Sequence, residues 1–285
     1  MVDNEAQIQH LEDFAKSNPS AQPWDVFIKI DVGSHRAGME TSSPLLPKLV
    51  RRVEESPAAR VYGFYCHAGH SYGCRTTEAA AAVLKTELEG VLKATEFLIE
   101  KRKVVVSVGS TPTAHVVREL SGKMPDNVEV ELHAGMSPVN IIELFLTIIG
   151  NYPANDLQQV ATGLVSEAQQ AVRVVAEVCS VYPSRNEALI NAGTIALSKE
   201  TSDTPGHGRV TDRPGWSVMR MAQEHGILGL NGTQKEGAVA DTFRVGEKVF
   251  LFCQHACITA AAHFQYYVVD EKDIVREVWV PWKGW

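Results

Sequence analysis

The sequence predicts a segment of parallel β/α barrel followed by an antiparallel β unit, and three observations carry that prediction. In the first half, short β-rich runs alternate with stretches whose apolar residues recur at helical spacing. Each run ends in polar, glycine-rich residues, "DVGSHRAG", "HAGHSYG", "GSTPT" and "HAG", and loops at strand ends are where a parallel barrel gathers its chemistry. After about residue 165 the texture turns to β-branched and aromatic runs broken by turn residues.

Taken in order, "IQHLEDFAKS" reads as a helix and "VFIKID" as the first strand. "SPLLPKLVRRVEES" is helical, "ARVYGFYCH" a strand, and "TTEAAAAVLKTELEGVLKATEFLIEK" a long helix. "VVVSVG", helical "TPTAHVVREL" and "NVEVELHAG" complete a first domain spanning 1–165. In a second domain over 166–285, "AVRVVAEVCSVYP", "EALINAGTIALS", "KVFLFCQHACIT" and "FQYYVVD" read as antiparallel strands, with a Gly/Pro-rich stretch from Ser202 to Gly215.

A chain of 285 residues, 45% hydrophobic, can bury one large core or two modest ones. Its formal charge of -7, scattered along the sequence, offers no basic stripe for a phosphate backbone, which argues against nucleic acid as a partner. Five cysteines, an odd number, and an N-terminus without signal-peptide character give the expectation of a reducing, cytoplasmic setting. The apolar run "VNIIELFLTIIG" is too short to cross a bilayer and is interrupted by Glu143, so no membrane span is expected.

Four clusters carry chemistry. "VGSTPTA", between a strand and a helix, offers backbone N–H groups and the hydroxyls of Ser110, Thr111 and Thr113 to an anion, although an ordinary helix cap fits the same residues. "HAG" adds Gly135 at the next strand end. "FYCHAGHSYG" gathers Tyr65, His67, His70 and Tyr72 as one wall of a site, and Arg36 in "DVGSHRAGM" suits a phenolate or carboxylate. In "QHAC", His255 and Cys257 stand two apart; on a strand they share a face and could share an ion, though a packed strand fits as well and two ligands make only half a zinc site.

These pieces in this order resemble the eukaryotic-type D-serine dehydratases, in the group that includes metal-dependent D-threonine aldolases and has the alanine-racemase fold. The resemblance rests on "IKIDVGSHRAGM", "GFYCHAGHSYG", "GSTPTA", "ELHAG" with "NYPANDLQQVATG", "INAGTIALSKE", "QEHGIL", "HACIT" and "VWVPWKGW", and covers nearly the whole chain. It implies a partial, about half, TIM-type β/α barrel of the alanine-racemase type holding pyridoxal phosphate, followed by a C-terminal antiparallel β domain. On the family pattern Tyr65 and Tyr72 contact the cofactor, His67 lies by its ring and His133 faces the pyridine nitrogen. Thr113, Gly135 and Asn151 hold the phosphate, and His255 and Cys257 match the zinc pair. The activity implied is elimination of a D-amino acid, D-serine, to pyruvate and ammonia, in a homodimer where the barrel is complete. A D-threonine aldolase would carry Asp in place of Cys257, and a non-catalytic remnant that binds cofactor and metal is the alternative of another class.

Two departures stand out. The family's Schiff-base lysine belongs to an earlier β/α segment that this chain is expected to lack, and the flanks of Lys29 match a later strand, so the chain is expected to be inactive alone. Residues 136–150 interrupt the loop between "ELHAG" and "NYPAND" and read as an insertion; Gly135-Met136-Ser137 can encode a GTATGT-type splice donor, which makes a retained intron the expectation.

Overall fold

In the computed structural model, which describes residues 1–119, 124–134, 151–232 and 237–282, the chain divides into two compact units, Met1–Ala134 and Gly135–Trp285. The first begins with α1 (Glu5–Ser17), started by a capping box in which Asn4 accepts the N–H of Ala6 and Gln7 reaches back to the N–H of Asn4. Five parallel strands follow: β1 (Trp24–Asp31), β2 (Met39–Glu40), β3 (Ala59–Tyr65), β4 (Val104–Val108) and β5 (Val128–Leu132), in the order β2-β1-β3-β4-β5. Helices α2 (Leu46–Glu54) and α3 (Thr77–Thr95) make the crossovers that parallel pairing requires, and a short α4 (Thr111–His115) follows β4. Leu46, Leu49, Val50 and Val53 form the buried stripe of α2, and Leu84, Leu88 and Val91 that of α3, over Ile28, Ile30 and Phe64 of the sheet.

The register of this sheet builds the site. Lys29 pairs with Tyr65, Tyr65 with Ser107, and Ser107 with Glu131, so these side chains form one row across four strands.

The second unit opens with α5 (Asn151–Ala154) and α6 (Leu157–Ala161). Its strands are β6 (Arg173–Tyr182), β7 (Glu187–Ile190), β8 (Gly208–Val210), β9 (Trp216–Met221), β10 (Gly226–Leu230) and β11 (Lys248–Cys253), with α7 (Thr194–Leu197) and α8 (Val239–Thr242) between them. They close into an antiparallel barrel in the order β10-β7-β6-β11-β8-β9 around Val178, Ile190, Trp216, Val218, Leu228, Phe243 and Leu251. α9 (Ala256–Ala262) and a hairpin of β12 (Tyr266–Val269) and β13 (Val275–Trp279) follow. The expected partial barrel is thus a five-stranded parallel sheet, and the expected β domain a closed barrel.

Two strand expectations fail in part. Of "EALINAGTIALS" only Glu187–Ile190 is a strand, and Thr194–Leu197 is the helix α7. "KVFLFCQHACIT" is not a strand throughout: β11 ends at Cys253, His255 is the N-cap of α9, and Cys257 lies in that helix's first turn. Alanines at 256, 260, 261 and 262 favour the helix, and its first N–H is taken by a carboxylate elsewhere in the unit. Helix α4 also stops sooner than "TPTAHVVREL" suggests, at His115. Gly135 and the 136–150 insertion lie outside the described residues. Among the described residues no helix is long and apolar enough to cross a membrane.

Candidate functional site

In the first unit the lateral row becomes a polar chain. The Ser107 hydroxyl donates to Glu131 Oε1 at 2.6 Å, which commits its only proton, so its oxygen accepts from His133 Nδ1 at 2.9 Å. His133 therefore carries its proton on Nδ1 and its lone pair on Nε2. That Nε2 is buried with no hydrogen-bond partner among the described residues. The ring stacks on Tyr65 at 4.2 Å, 11° from parallel, with Lys29 Nζ 4.4 Å from the centre of the Tyr65 ring. His67 stacks at 6.0 Å from His133 and donates its own Nδ1–H to the carbonyl of Gly109 at 3.1 Å.

Burial sets the charges here. It lowers His133 to about 3 and His67 to about 4, with neighbouring positive charges adding to the effect, so both rings stay neutral. It lowers the Lys29 ammonium to about 8 and raises the Tyr65 phenol to about 12. Arg36 is exposed, and its positive charge reaches Lys29, Tyr65 and His67.

The strand-end loops are fastened by Glu87, whose Oε1 accepts the N–H groups of Ala68 at 3.0 Å and Gly109 at 3.2 Å. Gly109 has φ +139°, and a Cβ there would lie 2.1 Å from the carbonyl oxygen of His133, so only glycine permits this approach of two strand ends. Ser110 and Thr113 close a capping box, and Ser110 also bonds Ser71 at 2.7 Å, while Tyr72 donates to the Thr111 hydroxyl at 3.3 Å. Two of the three expected anion-facing hydroxyls, those of Ser110 and Thr113, are thus engaged in starting α4.

The second unit holds a separate cluster. Asp156 caps α6 by accepting the N–H of Gln159 at 2.9 Å, and its other oxygen accepts the N–H of Ala256 at 2.8 Å, so one carboxylate starts both α6 and α9. Burial raises Asp156 to about 6 against these bonds and one from the Asn151 side chain. His255 Nδ1 lies 2.6 Å from Gln158 Oε1, and burial lowers this imidazole. Cys257 is pushed up to about 11 by burial and by the charge of Asp156, with the backbone of Asn151 bonding its thiol. Asn151, expected at a phosphate, is buried and meets Asp156 and Cys257. Among the described residues no group of three or more His, Cys, Asp and Glu stands close enough to hold a metal ion. By donor type, imidazole and thiol fit zinc and would supply two of its positions.

Several of these residues escaped the sequence reading. Glu87 sits on the buried face of α3 with Ala80, Leu84 and Leu88, and a carboxylate on an apolar stripe was the available signal. Asp156 and Gln159 match the D-x-x-Q pattern of a helix start. Ser107, Glu131 and Gln158 act through partners distant in the chain and gave no local sign.

The "Alanine racemase, N-terminal domain" family model matches residues 1–125, and the "Putative serine dehydratase domain" model matches 171–269. The D-serine dehydratase of Schizosaccharomyces pombe is 39% identical over 305 residues, covering 100% of this chain and 67% of that protein. The D-serine dehydratase of Saccharomyces cerevisiae is 34% identical, with 100% of this chain and 68% of that protein covered. Among solved structures, D-threo-3-hydroxyaspartate dehydratase in a metal-free cysteine-to-alanine variant is 28% identical with a TM-score of 0.80, covering 100% of this chain and 72% of that one. A second structure of that enzyme carries alanine in place of a histidine two residues before that cysteine.

Proposed function

The chain belongs to the D-serine dehydratase family, and from that premise we propose that its first unit binds pyridoxal phosphate at the strand ends and its second binds zinc through His255 and Cys257. The reaction of the intact family member would be elimination of water from D-serine, ending in pyruvate and ammonia. The observation that carries the reading is the row Lys29, Tyr65, Ser107 and Glu131, topped by His133 with a buried Nε2 that no described residue serves. An acceptor left in that condition costs about 1–3 kcal/mol unless a ligand meets it. The spacing of the histidine and cysteine altered in the structures of D-threo-3-hydroxyaspartate dehydratase equals that of His255 and Cys257, which supports the metal pair.

When bound, pyridoxal phosphate supplies an electron sink for the charge left at Cα, and zinc supplies a Lewis acid for the departing hydroxyl. The chain's own residues orient and hold. His133 would offer Nε2 to a ring N–H, Tyr65, stacked on that imidazole, would hold it in place, and Arg36 would contribute positive charge nearby. Tyr72, Thr111 and the backbone of the loop capped by Ser110 and Thr113 would face the phosphate. Lys29 is the buried lysine at these strand ends, but its flanks differ from those of the family's Schiff-base lysine. We therefore expect the 285-residue chain alone to release no pyruvate from D-serine; sustained release would overturn this part of the reading.

Binding tests the remainder. Dialysed protein should retain zinc, and His255→Ala and Cys257→Ser should each lower the content. Pyridoxal phosphate should quench intrinsic fluorescence saturably, with His133→Leu weakening it about 10-fold for a lost hydrogen bond to a polar partner. Equal zinc content and equal cofactor affinity in all variants would sink the proposal.

A further inference from the structure

We infer that Gln158 is the positioning residue of the second cluster: its carboxamide oxygen holds the proton of His255 on Nδ1, so that this imidazole presents its lone pair at Nε2. The inference begins with which way the amide points. The NH2 group of Gln158 donates to Glu200 Oε2 at 3.3 Å and to the carbonyl of Thr201 at 3.0 Å. Both partners are acceptors only. Turning the amide over would set its oxygen against a carboxylate and a carbonyl, so its orientation is fixed from the side away from the histidine. The end that faces His255 Nδ1, at 2.6 Å, is therefore the oxygen. An amide oxygen carries no proton, so Nδ1 must supply it, and the neutral ring then has its lone pair on Nε2.

The backbone holds both partners in place for this bond. Asp156 starts α6 immediately before Gln158, and the same carboxylate starts α9 immediately after His255. The N–H of Gln158 donates to the carbonyl of Gln254 at 3.2 Å, and the buried Gln254 side chain is itself tied to the carbonyls of Thr204 and Gly206 at 3.0 and 2.7 Å. His255 occupies an N-cap position yet makes no capping bond with its side chain, so its ring is turned to Gln158 instead. Histidines that bind metals are ordinarily oriented by a second hydrogen bond on the other ring nitrogen. The metal consequence rests on the proposed role of His255 and Cys257, whereas the tautomer assignment does not.

The test is two-bond 1H–15N correlation of the full chain with 15N-labelled histidine, chelator-treated, at neutral pH, with the His255 signals identified by their loss in His255→Gln. The expected wild-type pattern is a protonated Nδ1 and an unprotonated Nε2. Gln158→Leu, at a half-buried position, should shift the ring toward the other tautomer and weaken zinc binding roughly 10- to 100-fold. A proton on Nε2 in the wild type would overturn the inference, as would an unchanged pattern in Gln158→Leu. The wild-type spectrum decides even where a variant does not fold. Wild-type protein with the expected pattern but no affinity for zinc would remove the metal reading and leave the role of Gln158 intact.

Discussion

The two units orient a histidine in the same way by opposite architectural means. In the parallel sheet, His133 is held by Ser107, whose proton is spent on Glu131, and these residues meet through strand register across the sheet. In the β unit, His255 is held by Gln158, whose amide protons are spent on Glu200 and Thr201, and these residues meet where two short helices begin. In both cases the partner is made a pure acceptor by committing its donors elsewhere, and the imidazole is left with its proton on Nδ1. The difference lies in what supports the geometry: a continuous hydrogen-bonded ladder in one unit, a shared N-cap carboxylate in the other.

That difference predicts how each region breaks. The largest effect belongs to Gly109→Ala, where the added Cβ meets the carbonyl of His133 at 2.1 Å in backbone at φ +139°. A loss of about 3 kcal/mol or more is expected, read from the urea midpoint, with cofactor affinity lost and zinc content per folded chain kept. Asp156→Ala removes the acceptor that starts both α6 and α9, and should cost about 2 kcal/mol. It should reverse the pattern, lowering zinc and sparing cofactor. If either substitution abolished both ligands in protein that remained folded, the two clusters would not be independently supported.

Ser107→Ala is milder, at about 1 kcal/mol, because it removes a small hydroxyl but leaves the Nδ1–H of His133 without its acceptor. Its signature is the His133 tautomer, not the melting point. The same burial makes the stability of the first unit depend on pH. His67 and His133 are held at about 4 and about 3 in the fold, below the ordinary histidine value, so the unfolded chain takes up more protons as the solution is acidified. Their contribution to stability is therefore full above about pH 6.5 and is lost progressively as pH falls from there to about 4 for His67 and about 3 for His133. Urea midpoints measured from pH 7.5 to pH 4 should fall less steeply in His67→Gln than in the wild type.

What the sequence made legible divides along the same line. Four of the five strands of the parallel sheet, all but the two-residue β2, could be read because a buried β-rich run ending in polar, glycine-rich residues is a local pattern, and Tyr65, His67, Tyr72 and His133 stand at those ends. The row that joins Lys29, Tyr65, Ser107 and Glu131 could not, because register depends on pairing between distant segments. In the second unit β6, β7, β11 and β12 lay in legible runs, whereas β8, β9, β10 and β13 and the closure into a barrel were not legible. The pair His255 and Cys257 was found, but on the wrong element: the apolar run through Cys253 suggested a continuing strand, and the alanines beyond it carried the opposing signal for helix. Gln158, within "NDLQQ", carried no local sign of its role, since nothing in the neighbouring sequence reveals a partner 97 residues away.

The central claim, that His133 is a preset acceptor awaiting a ligand, is tested most directly by titrating pyridoxal phosphate into chain labelled with 15N-histidine. His133 should begin with a protonated Nδ1 and an unprotonated Nε2, and saturable addition of the cofactor should move the Nε2 resonance while Nδ1 remains protonated. A His133 that starts with its proton on Nε2, or whose Nε2 resonance is indifferent to saturating cofactor, would contradict the account.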